Sequence, residues 1–402
     1  MSFTVTEKVK TWFKTHIKIP FGVVIAICVL PVVITALFYI LRPVRSVMDW
    51  AVTYISAPLR RFFGLLSSIY PFAVMEILAT AAVIFLIYYI IKAIIDTSRR
   101  QGKWKLLGKR LLPIPVVALY LWGSFCWLWN SGYHATGFAE KNNLTSYGIE
   151  TADLLAVTEY FANRMNELSL EVARDEEGFL IYDRRAVFDE SRYIYKNISE
   201  EFPSLRGTLY PPKPMLYSWL MSITAYGGMY FALTGETMIN TDPPGVYRPV
   251  TIAHEYAHQL GIFAEDEATF MGILAGVTSD NIAFQYAGYM SGYNYLSGAL
   301  SGADFDEWLR IYDTLTEEVN RDNSQNSAFW STTATSNLRI DFLDRFFSFL
   351  MRTTRDTVNI VYDDFLKSND QELGIQSYGA GVDIIVEYFK DKLPEEIIDP
   401  VG

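Results

Sequence analysis

Three apolar runs in the first third of the chain constrain the fold more than any other feature. The first, Ile19 to Leu41, carries no charged residue. At about 1.5 Å per residue it can cross the roughly 30 Å hydrocarbon core of a bilayer as a helix. The second covers about 72–95, with Glu76 and Lys92 near its ends, where long side chains can reach headgroups. The third, about 111–129, ends in Trp122, Trp127 and Trp129, residue types suited to interfacial anchoring. The first run is too long for a cleaved signal peptide and lacks a clear small-residue cleavage site. The expected organisation is a tail over 1–18, an anchor of three transmembrane helices over 19–130, and one large domain over 131–402.

Charge divides the chain at the same place. Residues 1–110 hold 15 Lys and Arg against 4 Asp and Glu, whereas residues 111–402 hold 19 against 41. An acidic domain on a basic anchor argues against nucleic-acid binding and names the lipid bilayer as a partner. Lys8, Lys10, Lys14 and Lys18 precede the first run, and Arg99, Arg100, Lys103, Lys105, Lys109 and Arg110 lie between the second and third. The positive-inside rule makes both segments cytoplasmic, so three crossings give a multi-pass cell-membrane protein with an extracytoplasmic domain. Arg42, Arg45, Arg60 and Arg61 run against this orientation. With Trp50, Tyr54, Phe62 and Leu66 among them, residues 42–69 read as helices lying on the membrane surface. The two cysteines, Cys28 and Cys126, sit inside apolar runs, so the large domain has neither a disulfide nor a thiolate metal site.

The large domain reads as mainly helical. Leu154, Phe161, Met165 and Leu168 define one face of a helix over 151–172, with Thr151 or Asp153 to cap it. A second helix is expected over 189–200, a break at PPKP (211–214), β-like segments over 227–240, and a turn at TDPPG (241–245). Helices are expected from Pro249 to Gly261 and from about Glu265, with a polar loop near 322–338. The apolar run Ala268–Leu300 contains Asp280, Asn281, Gln285 and Asn294 and so reads as buried domain helices rather than a fourth span.

The chain has four histidines. Two of them stand in His254-Glu255-Tyr256-Ala257-His258, four residues apart and therefore on one helix face. Two imidazoles so placed can take adjacent corners of a zinc tetrahedron, while Glu255, about 100° round the helix, can act as general base on a water activated there. His16 in the tail and His134 beside the last span are poorly placed as a third ligand, which leaves a carboxylate in Glu265-Asp266-Glu267. Glu265 continues along its face as Ala268, Thr269, Gly272 and Gly276, small residues that allow close helix approach. Glu267 continues as Phe270, Met271 and Leu274, ordinary core residues. Glu265 is therefore the preferred ligand, with Glu267 as the alternative. Thr269 can hydrogen-bond a ligand, and Tyr293 and Tyr378 are candidate oxyanion donors. His134 reads as a solvated juxtamembrane residue.

H-E-x-x-H followed by a helix opening E-x-x-A resembles the gluzincin metallopeptidases, especially the membrane-bound CAAX-prenyl-protease-like group, although Thr269 stands where those families usually carry Asp. The three spans with GETMIN (235–240), PVTIAHEYAHQLGIFAEDEATF (249–270), KPMLYSWL (213–220) and SYG (377–379) look more like a largely uncharacterised bacterial membrane family of unknown function. The resemblance implies an α+β fold, with a zincin-like domain whose small mixed sheet precedes the motif helix. It also implies an edge strand, within 228–240, that holds an extended substrate. The expected activity is that of a zinc peptidase. His254, His258 and Glu265 would bind Zn2+, and Glu255 would be the base. The substrate would be a peptide, a membrane-proximal protein segment or cell-wall peptide. The rival reading is a catalytically inactive zinc-binding sensor or scaffold at the cell surface.

Overall fold

A computed structural model describes residues 20–98, 102–144, 148–332, 341–369 and 377–394. The expected tail, together with Arg99 and Arg100, lies outside these residues. The fold is α+β: helices dominate, and one sheet of three short strands lies before the helix that carries the two histidines.

Among the described residues, three helical stretches are long and apolar enough to cross a membrane: Gly22–Leu41, Val74–Ser98 and Lys103–Gly132. They correspond to α1 (Phe21–Leu41), α4 (Val74–Ser98), and α5 (Lys103–Leu111) continued by α6 (Pro113–Leu128). Few of their side chains are buried, because helices apolar on every side have no polar face to turn outward. Between the first two, α2 (Arg45–Ala51) and α3 (Ala57–Ser68) are joined by one π-helical turn, Val52–Ser56. Trp50, Tyr54, Phe62 and Leu65 point outward from this unit. Its other face buries Met48, Ala51, Ser56 and Arg60 against the protein, so the amphipathic pattern of 42–69 marks a docked helix pair.

The domain is clamped to the anchor. Glu236 accepts hydrogen bonds from the amides of Val74 and Met75 at the start of α4, both 2.8 Å, and its Oε1 pairs with the buried Lys213 at 2.6 Å. In return Glu76, inside the first turn of α4, accepts from the amides of Leu216 and Tyr217 at 2.7 and 2.9 Å. Glu76 is thus 3% exposed and serves the domain instead of reaching for headgroups. Trp129 and Trp127 are also turned inward: Trp129 is buried, and Trp127 donates to the Ile34 carbonyl of α1. Trp122 alone of the three faces outward.

The core is built on α7 (Thr151–Glu171), which packs its Leu154, Phe161, Met165 and Leu168 face as the periodicity predicts. Glu150, not Thr151 or Asp153, stands at its N-cap, without a side-chain cap. The expected helix at 189–200 is broken into short pieces, Arg184–Glu190 and Ile198–Glu201, with a 3-10 turn between. PPKP contributes a strand, β1 (Lys213–Pro214), parallel to β3 (Glu236–Ile239). A proline without an amide hydrogen is tolerated there because β1 is an edge. After α8 (Ser218–Thr224), β2 (Gly228–Phe231) pairs antiparallel with β3, giving the order β1-β3-β2 and making β2 the other edge. The hairpin turns at Gly235, whose φ of +66° and close approach to the backbone of Arg60 and Gly64 admit no side chain.

Three helices follow: α9 (Arg248–Leu260), α10 (Glu265–Val277) and α11 (Ile282–Ala303), the last capped by Asn281. Their apolar residues are buried in the domain core, as the polar residues in 268–300 imply. The polar stretch from 322 is largely helical, within α12 (Glu317–Thr332), and 333–340 lies outside the described residues. Among the described residues two more α-helices follow, α13 (Asp341–Ser368) and α14 (Ser377–Phe389).

Candidate metal centre

α9 begins beside Pro249 and stops at Gly261, which has a φ of +100°. Pro at the start and Gly just past the end are the residues a short helix favours at those points. Ile252, Ala253, Tyr256 and Ala257 bury one side of it in the core, and His254 and Glu255 line a cleft of about 600 Å³ with Tyr226, Gly228, Arg248 and Tyr295. His258 and Glu265 lie behind that wall, 4% and 2% exposed.

One Nε2 from each histidine and Oε2 of Glu265 converge. The Glu265 oxygen is 3.1 Å from His254 Nε2 and 3.4 Å from His258 Nε2, and one ligand atom from each of the three residues lies within 4.8 Å of the others. A tetrahedral zinc with bonds of roughly 2.05 Å sets its ligand atoms about 3.3 Å apart. The two separations from Glu265 straddle that value, and the two histidine donors lie within 4.8 Å of each other, so the residues present are of the kind and proximity that such an ion needs. The ring orientations agree: His258 Nδ1 donates to the Ile262 carbonyl at 2.7 Å, which leaves the Nε2 lone pair facing the cluster. Thr269 Oγ1 stands 3.5 Å from His254 Nδ1. Burial opposes charge on His258, yet the adjacent Glu265 carboxylate pushes its imidazole up to about 9. Burial works against ionisation of Glu265 too, but both histidines hold its carboxyl well below the usual carboxylate range. The three groups are electrostatically matched to one another and, by the same token, to a cation.

The close approach of α9 and α10 depends on Gly272. A Cβ there would lie 3.0 Å from the Val250 carbonyl and 3.2 Å from the His254 amide. Gly276, on the same stripe of small residues, faces α11 instead, against Gly288. Glu267 points away from the histidines, accepting from the Ala139 amide at 2.8 Å. Burial pushes its carboxyl up to about 7 from an ordinary 4.5. Between those values the folded chain keeps a proton that the unfolded chain has released. The contribution to stability is therefore full below about 4.5 and is lost as pH rises through about 7, a difference of at most roughly 3 kcal/mol. Glu267→Gln should remove that part of the slope, read as the change in unfolding midpoint between pH 5 and pH 8.

Glu255 is 6% exposed, and its carboxylate lies against the edge strand: a Cβ on Gly228 would be 2.9 Å from its Oε1. Burial raises the Glu255 carboxyl, opposed by His254 and His258. Three neighbours of the centre come from distant sequence. Tyr362 on α13 donates to Oε1 of Glu265 at 2.8 Å, occupying the oxygen that does not face the histidines. Trp129 packs edge-on against the His258 ring, with centroids 5.2 Å apart. Arg60, 3% exposed on α3, donates to the His258 carbonyl at 2.8 Å and stacks over Phe263 at 4.8 Å. A cation at a helix C-terminus meets both the free carbonyls and the dipole. The Gly261 amide also donates to the His258 carbonyl, at 3.1 Å, so Arg60→Met should remove only the buried charged donor and lower stability by about 2 kcal/mol, measurable as a drop in thermal midpoint.

Other expected residues are placed elsewhere. Tyr293 is buried and does not line the cleft. Tyr378 lies on α14, but its side chain is outside the described set. His134 is 8% exposed and sits near Phe38 of α1, with ring centroids 6.0 Å apart, so it is a packed residue and not a solvated one.

No curated protein and no solved structure matches the chain. Residues 51–386, which take in α4 to α6, the sheet and all three members of the cluster, match the family described as Protein of unknown function (DUF3810), and the chain belongs to that family.

Proposed function

We propose that this chain is a membrane-anchored zinc-dependent peptidase. The observation that carries the reading is the convergence of His254 and His258 on Oε2 of Glu265, at 3.1 and 3.4 Å, beside a buried carboxylate on the wall of a cleft. The likeness to gluzincins and CAAX-prenyl-protease-like peptidases rests on residues 254–268 alone.

His254, His258 and Glu265 would hold the ion. Zinc, when bound, is a Lewis acid that lowers the pKa of water towards about 7 and polarises a carbonyl. Glu255 takes a proton on its carboxylate and returns it to the departing amine; its raised affinity for protons, a result of burial, suits both steps. Gly227 and Gly228, at the free edge of β2, leave the backbone open to an extended peptide. Tyr362 holds the second oxygen of Glu265 and so fixes which lone pairs face the histidines.

The same reading places the domain outside the cytoplasm. The domain-side ends of α1, α4 and α6 meet it through Arg42, which donates to the Ser368 carbonyl, through the clamp on Val74 and Met75, and through Trp129, which packs on the His258 ring. The opposite ends border the basic segments. Of the four arginines in 42–69 that run against this orientation, Arg60 is buried on His258, Arg45 pairs with Glu140 at 2.9 Å, and Arg42 is tied to Ser368. Arginines engaged by the domain need no cytoplasmic surface. Purified protein should carry one zinc per chain and cleave a peptide library. Chelation should abolish cleavage and added zinc restore it. Cleavage that survives complete metal removal would sink the proposal.

A further inference from the structure

The segment 214–227 contains no charged residue and holds Leu216, Tyr217, Trp219 and Leu220 in succession. It belongs to the large domain in sequence, yet its start is bonded to the first two turns of the membrane-length helix α4. Glu76 binds its amides, and Thr80 Oγ1 meets the Tyr217 hydroxyl at 2.9 Å. α4 has 25 residues, and about 20 suffice to cross the hydrocarbon core. At most about five can therefore remain outside it if the helix stands upright. Thr80 is the seventh residue, so its level is within the apolar layer or at its boundary whichever end protrudes. Lys92 and Asp96, near the far end, favour protrusion there and place Thr80 deeper still. Beside Tyr217, which reaches that level, Leu216, Trp219 and Leu220 are 53%, 58% and 44% exposed. In water such a patch would be a liability; against lipid it is an anchor.

We propose that the turn at Leu216–Tyr217 and the helix α8 lie in the interfacial layer of the bilayer, as a fourth membrane contact that does not cross it. α8 has seven residues, too few to span; it carries Trp219 and follows directly on Tyr217, residue types that settle at headgroup level. Its C-terminal end runs directly into Thr224, Ala225, Tyr226, Gly227 and Gly228, which line the cleft. The cleft mouth is therefore held at the membrane surface, and the substrate it admits is a segment tethered to that membrane in preference to one free in solution. The lipid contact stands by itself, while the substrate class rests on the peptidase reading.

Full-length protein with Cys28 and Cys126 replaced by Ala, carrying Leu220→Cys, would be reconstituted in phosphatidylcholine–phosphatidylglycerol vesicles. A charged, water-soluble maleimide should label position 220 at least tenfold more slowly than Glu176→Cys, a site on an exposed turn, and a fluorophore at 220 should be quenched by nitroxide-bearing lipid. Leu216→Cys provides a second site on the same patch if the first variant misfolds. Labelling as fast as at 176, or slow labelling without lipid quenching because protein covers the patch, would overturn the proposal. In the same vesicles the protein should cleave a lipid-tethered peptide at least fivefold faster than the free peptide, and Trp219→Ala with Leu220→Ala should erase that difference. Equal cleavage of both peptides would refute the substrate class, whereas cleavage of neither would refute the peptidase reading and leave the labelling result intact.

Discussion

Replacing Glu255 with Gln should lower peptide hydrolysis by about 10²- to 10⁴-fold while leaving bound zinc unchanged, the range expected for loss of a general base. Gln keeps the shape and the packing against Gly228 but cannot accept and return a proton. Metal content should hold because the three converging atoms belong to His254, His258 and Glu265, and Glu255 is not among them. The stability cost should be small, since the substitution removes a carboxylate that burial already disfavours. Metal analysis and peptide turnover on one preparation check both halves. A variant as active as the parent would leave the zinc-binding sensor or scaffold as the better reading. A variant that lost its metal as well would mean that Glu255 belongs to the ligand set.

Much of this was legible in the sequence, for identifiable physical reasons. A membrane span needs only length and apolarity, so α1, α4 and α6 can be placed without tertiary information. The paired histidines are legible because a helix fixes the relation of i to i+4. The preference for Glu265 over Glu267 came from the size of the residues one turn further on, and Gly272 shows why size matters: a side chain there would strike the backbone of α9. Gly276, on the same stripe, uses its smallness to meet α11 and not α9.

What could not be read depends on contacts across long separations. Tyr362 stands 97 residues from Glu265, and nothing local marks it among 26 tyrosines. Arg60 reads as one more cation on an amphipathic surface until its carbonyl partner, 198 residues away, is seen. Glu76 and Trp129 show the same thing: charge and aromaticity near an apolar run suggest headgroups, whereas here they are contacts that seat the domain on the membrane-length helices. The consequence is mechanical. His258 is touched from behind by Trp129 at the end of α6 and by Arg60 on α3, so the N-terminal helices build one wall of the candidate centre. A domain cut free at about residue 131 would lack that wall.

The ligand assignment admits an equally sharp test. Glu265→Ala should weaken zinc binding by more than about 100-fold, because it removes both a donor atom and the charge that offsets the cation, a larger loss than the 10- to 100-fold typical of residues that only support a ligand. Glu267→Ala should leave affinity within a few-fold, since its carboxylate is engaged by the Ala139 amide. Tyr362→Phe should fall between them, near tenfold, because it frees one Glu265 oxygen without removing the other from the histidines. Competition with a chelator of known affinity gives all three values on folded protein, and retained thermal unfolding separates ligand loss from collapse. The order Glu265, then Tyr362, then Glu267 follows from which oxygen each side chain controls. If Glu267→Ala lost its zinc while Glu265→Ala kept it, the carboxylate ligand would have to be reassigned and α10 would have to rotate by about 160° to present it, since two residues subtend about 200° on a helix.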